Sequence, residues 1–391
     1  MKSVLAGVVV LSFASTAGAA QPYSAELVFP LHPKHNHAPG IAECPNGDLI
    51  ASWYRGSGER QADDVAVYGA RKRKGANTWS EPFLLVDNIG FPDCNTALFV
   101  DAQSRLWLFW PVILDNRWES CLTNYRISSR YDADGPPVWD WQGALYLKPK
   151  DFEKVMLRGL EDRAKMFPDA RRGTPEQIEQ LKQRIGNKLS SRLGWHPRCK
   201  PTVLPSGRIL LPLYSDTFSV SLMAISDDGG KSWSASEPLA GYGSIQPSVL
   251  RRNDGTLVAY MRENGPIKRI RVAESKDDGI SWGPVGATDL PNPGSGLDAV
   301  RLANGHWLLV RNDTTAGRHS LAVSVSEDEG KTWKYTRHLE KHPPGTSYHY
   351  PAMIQGRDGT IHVIYTYTLR EGKSMKHAAF TEDWIREGDA P

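Results

Sequence analysis

Cysteine is scarce: Cys44, Cys94, Cys121 and Cys199 are the only four in 391 residues. Their spacings fit no zinc pattern, which excludes a fold built on structural metal. Charge of one sign is equally short. Lys and Arg number 47 against 44 Asp and Glu, an excess of three. No strong overall field results, so nucleic acid and anionic membrane surfaces are excluded as partners. After the first twenty residues no segment approaches the ~20 continuous apolar residues of a membrane span. What the chain has in quantity is 13 Trp, 35 Gly and 27 Pro, the mark of many aromatic strands joined by tight turns. A hydrophobic fraction of 40% and a charged fraction of 23% fit an ordinary globular core.

The first residues read "MKSVLAGVVVLSFASTAGAAQPYS". Lys2 is the charged start, Val4 to Phe13 the apolar run, and the small residues ending at Ala20 a cleavage site. This pattern predicts a signal peptide over residues 1–20, a mature chain from about Gln21, and export to the periplasm or the exterior. No cysteine stands at the cleavage point to carry a lipid. Export permits disulfides, and the four cysteines read as small buried side chains with room for a bridge.

Two phrases recur along the rest. A turn running into an apolar strand appears as "PNGDLIASW" from Pro45, "PSGRILLPL" from Pro205, "NDGTLVAYM" from Asn253, "ANGHWLLVR" from Ala303 and "RDGTIHVIY" from Arg357. A glycine-free form, "AQSRLWLFW", starts at Ala102, making six. The glycines Gly207, Gly255, Gly305 and Gly359 are 48, 50 and 54 residues apart. Two strands flank each turn, and each unit has room for two more. Four antiparallel strands per unit of this size is the pattern of a propeller blade. The prediction is an all-β, six-bladed β-propeller over residues 21–391.

The interval from Ser104 to Gly207 is twice the usual length. Residues 150–195 fill it with a helical insertion; Thr174, Pro175 and Gln177 there form an N-cap, a first helical residue and a capping box. Nothing in the sequence says whether it decorates the fold or walls a site.

The second phrase is "SDDGGKSW" (Ser226 to Trp233), "SKDDGISW" (Ser275 to Trp282) and "SEDEGKTW" (Ser326 to Trp333), with weaker echoes ending at Trp79 and Trp139. Its carboxylates suggest chemistry, but a catalytic site needs no five copies. The phrase reads as a turn between third and fourth strands: Asp accepts backbone N–H groups, Gly takes a left-handed φ, Trp packs between blades. These repeats resemble the Asp-box (BNR) repeats of the sialidase superfamily, over nearly the whole mature chain. The resemblance implies the six-bladed fold and is less specific for activity, since such boxes also occur in non-enzymatic propellers and in lyases.

Chemistry is expected where the innermost strands enter the central axis. The residues just before each inner apolar run are His37, Asn95, Lys200, Gln246, Asp298 and Tyr350. All six are polar. Asp298 either binds sugar hydroxyls or holds Lys200 in an ion pair. The resemblance implies three arginines for a substrate carboxylate, a Tyr nucleophile with a Glu behind it, and an Asp acid/base. Arg262, Arg318 and Tyr350 fall at such positions; His37 replaces the first arginine and Gln246 the Glu. The counted acid/base position falls near Gln61, among Glu59, Asp63 and Asp64, and Asp64 or Asp63 is taken for it, with Asp64 alternatively capping its strand. Arg55 either adds charge to the site or packs on Trp53 or Tyr54.

Gln246 cannot accept the phenolic proton, so the implied relay is incomplete. One reading is a glycosidase removing a terminal acidic sugar, with Arg262 and Arg318 on the carboxylate and Tyr350 attacking. Another is a polysaccharide lyase, His37 and Tyr350 sharing the β-elimination. A third is a glycan-binding propeller without catalysis. The "HPKHNH" run, with His32, His35 and His37, reads as a loop cluster beside a sugar site or as metal ligands. No metal and no cofactor is implied, and the partner is an acidic glycan.

Overall fold

Each glycine turn closes with the same two backbone hydrogen bonds. In the fourth unit Arg252 N–H reaches Thr256 O at 2.9 Å and Gly255 N–H reaches Arg252 O at 3.1 Å. The glycine-free turn repeats this with Asp101, Arg105 and Ser104, Ser104 taking the left-handed φ of 59° that glycine takes elsewhere. Alternating apolar runs on either side pair as antiparallel strands, and the computed structural model, which describes residues 23–169 and 173–389, assembles them into six sheets. The expected signal peptide lies outside the described residues.

Blade 1 comprises His35–Glu43, Leu49–Gly56, Ala66–Lys72 and Phe83–Val86. Blade 2 comprises Ala97–Val100, Leu106–Ile113, Cys121–Ser128 and Trp141–Ala144. In blade 3 the inner strand is split into His196–Pro197 and Thr202–Val203, both pairing with Ile209–Ser215; Val220–Ser226 and Ser234–Ala235 complete it. Blades 4 and 5 begin at Ser244–Arg251 and Asp298–Arg301. Blade 6 takes Ser347–Gln355, Ile361–Leu369 and Gly372–Phe380 from the C-terminal end. Its fourth strand is Tyr23–Leu27, paired from Tyr23↔Phe380 to Leu27↔Lys376. The two ends of the chain thereby close the ring, a closure the repeats alone do not reveal.

The core lies between neighbouring blades. Leu210, Met223 and Ile225 of blade 3 pack with Val249, Leu257, Met261 and Trp282 of blade 4. The eight-residue phrases make the third-to-fourth-strand turns. Asp277 accepts from Ser281 N–H at 2.9 Å and from Ser275 Oγ at 2.8 Å, and Gly279 N–H donates to Ser275 Oγ at 3.0 Å. Asp228 and Asp328 repeat the arrangement. Each box tryptophan leans on the preceding blade: Trp333 meets Tyr260 edge-on with centroids 5.8 Å apart. These turns lie at the end of each blade opposite the entrance of the inner strands, away from the polar ring.

The insertion forms α1 (Phe152–Met166), α2 (Pro175–Gly186) and α3 (Lys188–Arg192). Thr174 and Gln177 make the capping box, with Pro175 in the first turn. Phe152, Met156 and Ile185 join the core of blade 3 with Trp195 and Phe218. Tyr242 Oη donates to Met156 O at 2.7 Å, and Arg163 Nε to Tyr242 O at 3.2 Å. Tyr242 leads into the inner strand of blade 4, so the helices wall the same face as the polar ring. All four cysteines are buried and free; the bridge allowed by the sequence does not form. No described helix is long and apolar enough to cross a membrane.

Candidate active site

Three inner strands bulge at their entrance, with register shifts between His37 and Gly40, Ile245 and Ser248, and His349 and Ala352. Non-glycine residues there take positive φ: Ala38 at 52°, Asn95 at 33°, Gln246 at 57° and Tyr350 at 54°. Such backbone costs of order 1–3 kcal/mol per residue and collects at functional sites. A bulge re-aims one side chain out of the strand's alternation; here it turns Gln246 and Tyr350 to the axis.

The bulge also corrects the counting. Nine residues before each turn's left-handed residue stand Ala38, Asn95, Arg198, Gln246, Gly296 and Tyr350. This is the ring. His37 is therefore one residue before the blade 1 position, yet its imidazole still stacks on Tyr350, centroids 4.3 Å apart. Lys200 and Asp298 lie two residues too far along. Lys200 Nζ reaches Asp298 at 2.8 Å, and that carboxylate also accepts from Ser248 Oγ and Met353 N–H, each at 2.8 Å. The pair ties together the inner segments of blades 3, 4, 5 and 6 deeper in the axis. In blade 5 the ring position is Gly296, where a Cβ would stand 2.7 Å from the Tyr350 ring and 3.0 Å from Gln246 Oε1. The missing side chain there makes room for both.

Tyr350 Oη is the centre. It accepts from Arg262 Nη1 at 2.6 Å and from Gln246 Nε2 at 3.1 Å. Guanidiniums of Arg198, Arg318 and Arg262 lie 5.1, 5.6 and 5.8 Å from its ring centroid. Arg198, 1% exposed, donates Nη2 to Pro351 O at 2.6 Å, while its Nε and Nη1 are buried without a partner. Arg318 Nη2 donates to Gly294 O at 2.9 Å, and Arg262 Nη2 to Asn264 Oδ1 at 3.1 Å. None of the three forms an ion pair among the described residues. Burial works against the charge on Arg262, but Tyr350, Tyr214 and Asp216 outweigh it and raise its pKa. Three cations without an ion pair around one phenol are an arrangement that can take an anion.

Two of the histidines here, His37 and His349, are held neutral. Burial first, then His349, His35, Arg318 and Arg198, hold His37 well below its usual pKa. His349 is depressed likewise by burial and by Arg318 and Lys373. His37 Nδ1 is 3.0 Å from Thr366 Oγ1. Across the axis Asn95 Nδ2 lies 3.1 Å from both His196 Nδ1 and Tyr214 Oη. Tyr214 Oη also accepts from Gln246 Nε2 at 3.0 Å.

The remaining expected residues are placed apart from Tyr350. Asp64 is on the surface, accepting from Ser57 N–H at 2.8 Å and Lys34 Nζ at 2.9 Å, bonds that hold its carboxyl far below the usual range. It caps its loop. Asp63 accepts from Asn116. The carboxylate of this loop that faces inward is Glu59, bonded to Tyr54 Oη at 2.6 Å and close enough to Arg318 and Lys373 to favour their charge. Arg55 turns outward, over Phe29, Tyr68 and Trp53 at 4.7, 4.9 and 5.8 Å, with Nε on Asn36. No group of three or more His, Cys, Asp or Glu side chains converges as metal ligands among the described residues.

The sequence reading missed Arg198, His196, Tyr214, His349 and Lys373. A strict count of nine would have found Arg198; Tyr214 and Lys373 sit on second and third strands, and His196 and His349 lie on inner strands just before ring positions, with no repeat signal.

Among known proteins, a model of the BNR repeat-like domain matches residues 47–172 and 193–363. A sialidase of Micromonospora viridifaciens is 28% identical over 170 residues, 41% of this chain and 25% of that protein. An anhydrosialidase of Macrobdella decora is 24% identical over 180 residues, 41% of this chain and 23% of that protein. The match thus spans about a quarter of each curated relative. A leech intramolecular trans-sialidase in complex with 2,7-anhydro-Neu5Ac superposes with a TM-score of 0.67 at 14% identity, covering 93% of this chain and 71% of that one. A Dyadobacter fermentans protein of unknown function gives 0.68 at 16% identity, covering 92% and 98%. The chain therefore belongs to the BNR repeat-like family of the sialidase superfamily and has its six-bladed propeller.

Proposed function

We propose that this protein is an exported glycoside hydrolase that removes a terminal acidic sugar from glycans. The observation that carries the reading is the Tyr350 oxygen held between Arg262 and Gln246, with Arg198 and Arg318 unpaired beside it. Arg262 and Arg318 take the sugar carboxylate. Tyr350 Oη bonds to the anomeric carbon as the bond to the leaving oxygen breaks. His37, neutral at working pH, takes the phenolic proton by way of a water, and Glu59, in its protonated form, protonates the leaving oxygen. Water then cleaves the sugar–tyrosine bond, giving its proton to Glu59, and His37 returns its own to Tyr350.

A second reading rests on one specific feature. Gln246 donates to Tyr350 where a base would accept. In a lyase acting on a uronate no base behind the tyrosine is needed. The arginines neutralise the carboxylate, neutral His37 removes the proton beside it, and Tyr350 protonates the leaving oxygen. Incubation with sialosides and uronate polysaccharides separates the two. Released saturated sugar supports the hydrolase, the ultraviolet absorbance of an unsaturated uronate supports the lyase, and binding without either product contradicts both.

A further inference from the structure

The "HPKHNH" run is not consumed by the chemistry at Tyr350, and the structure gives it a partner from the other end of the chain. His32 and Lys373 exchange backbone hydrogen bonds of 2.9 and 3.0 Å. Gly372 permits this approach, since a Cβ there would stand 2.9 Å from His32 O. Lys34 is neutralised by Asp64 at 2.9 Å. Lys373 is not neutralised. Its Nζ donates to His35 Nδ1 at 2.7 Å, and it forms no ion pair among the described residues. The proton of His35 is therefore on Nε2, which is buried with no acceptor. Burial and then Lys373 lower the His35 pKa to about 4, so at neutral pH the pair carries one positive charge.

The uncharged imidazoles of His35, His37 and His349 together would ordinarily suggest a metal. Here Lys373, Arg318 and Arg198 lie beside them and repel a cation. A half-buried ammonium facing only neutral imidazole is incompletely satisfied and gains most from an anion. Glu59 lies near enough to favour the charge on Lys373, but its oxygens are bonded to Tyr54 at 2.6 Å and Arg60 at 3.0 Å. The spot leads directly to the reacting centre: His35 and His37 centroids are 5.5 Å apart, and His37 and Tyr350 4.3 Å. It is two ring contacts from Tyr350, where the neighbour of a reacting sugar would lie.

We propose that Lys373 and His35 form a second anion subsite, and that the substrate is an oligosaccharide with a further carboxylate or sulfate on the residue next to the one attacked. This rests on Tyr350 being the reacting centre. The test uses the full chain as wild type, K373Q, K373R and R262Q. Calorimetry measures affinity for sialic acid and glucuronic acid, for disialic acid and digalacturonic acid, and for a sulfated sialyl-lactose beside its unsulfated form. Sulfate ion is titrated separately while the His35 imidazole resonances are followed. In wild type each diacid is expected to bind about tenfold or more tighter than its monoacid. K373Q removes most of that advantage and K373R keeps it; sulfate shifts His35 in wild type and R262Q but not in K373Q. Which dianion gains more tells carboxylate from sulfate. Equal affinity for mono- and dianions, or equal losses for both in K373Q, overturns the subsite. If instead R262Q weakens neither acid, the carboxylate site at Tyr350 fails, and the sulfate response of His35 judges Lys373 alone.

Discussion

Gln246 Nε2 donates to two phenol oxygens at once, Tyr350 Oη at 3.1 Å and Tyr214 Oη at 3.0 Å. The amide gives hydrogen where a carboxylate would take it. Restoring a base tests what that costs. Q246E is expected to raise hydrolytic kcat about tenfold or more, with the larger effect at neutral pH and above. A fall in kcat, with the fold intact by circular dichroism, contradicts the hydrolase and favours the lyase.

Arg198 is a buried cation with two unpaired nitrogens, so it costs stability in the empty protein. R198M is expected to unfold at the same temperature as wild type or higher, while kcat/KM falls at least about tenfold. Loss of several degrees with activity unchanged would make Arg198 a structural residue only.

Stability is expected to fall on acidification, and the sign follows from the buried histidines. Burial, then Lys373, puts His35 at about 4, and burial, then His377, puts His362 at about 3; His37 and His349 are also depressed. Their unfolded values are near ~6.5, so below that pH the unfolded chain binds protons the native one does not. Their contribution is complete above ~6.5 and shrinks as pH falls toward the folded values, by about 1.4 kcal/mol per pH unit for each such group. Denaturant melts between neutral pH and pH about 4 check this; unchanged stability over that window contradicts it.

Asp277 tests the separation of scaffold and site. D277A removes the acceptor of Ser281 N–H and of the Ser275 and Ser281 hydroxyls. A loss of about 1–3 kcal/mol is expected by denaturant unfolding, with KM unchanged at a temperature where the variant is folded. A changed KM at full folding would connect the boxes to the site.

The fold was legible because its signals repeat. Six turns and three strong boxes each state the same local geometry, and the errors that tertiary packing introduces average out over copies. The capping box at Thr174 and Gln177 was legible for the same reason, being local. The site was only partly so. Gln246 and Tyr350 came from a fixed distance to a turn, but in blade 3 the inner strand is broken and the eye settles on Lys200, two residues past Arg198. In blade 5 the site position is a glycine, which carries no chemical signal at all. Glu59 and Asp64 share one loop, and only the fold decides that one faces Arg318 and the other water. The pairing of Lys373 with His35 spans nearly the whole chain and depends on ring closure by the N-terminal strand.

The most direct test is a single comparison of wild type and Y350F on sialosides and uronate oligosaccharides, with acidic sugar release measured under saturating substrate. Release by wild type is expected, with a loss of at least about a hundredfold in kcat for Y350F and acid affinity retained through Arg262 and Arg318. Undiminished release by Y350F, or no affinity of wild type for any acidic sugar, would contradict the proposed function.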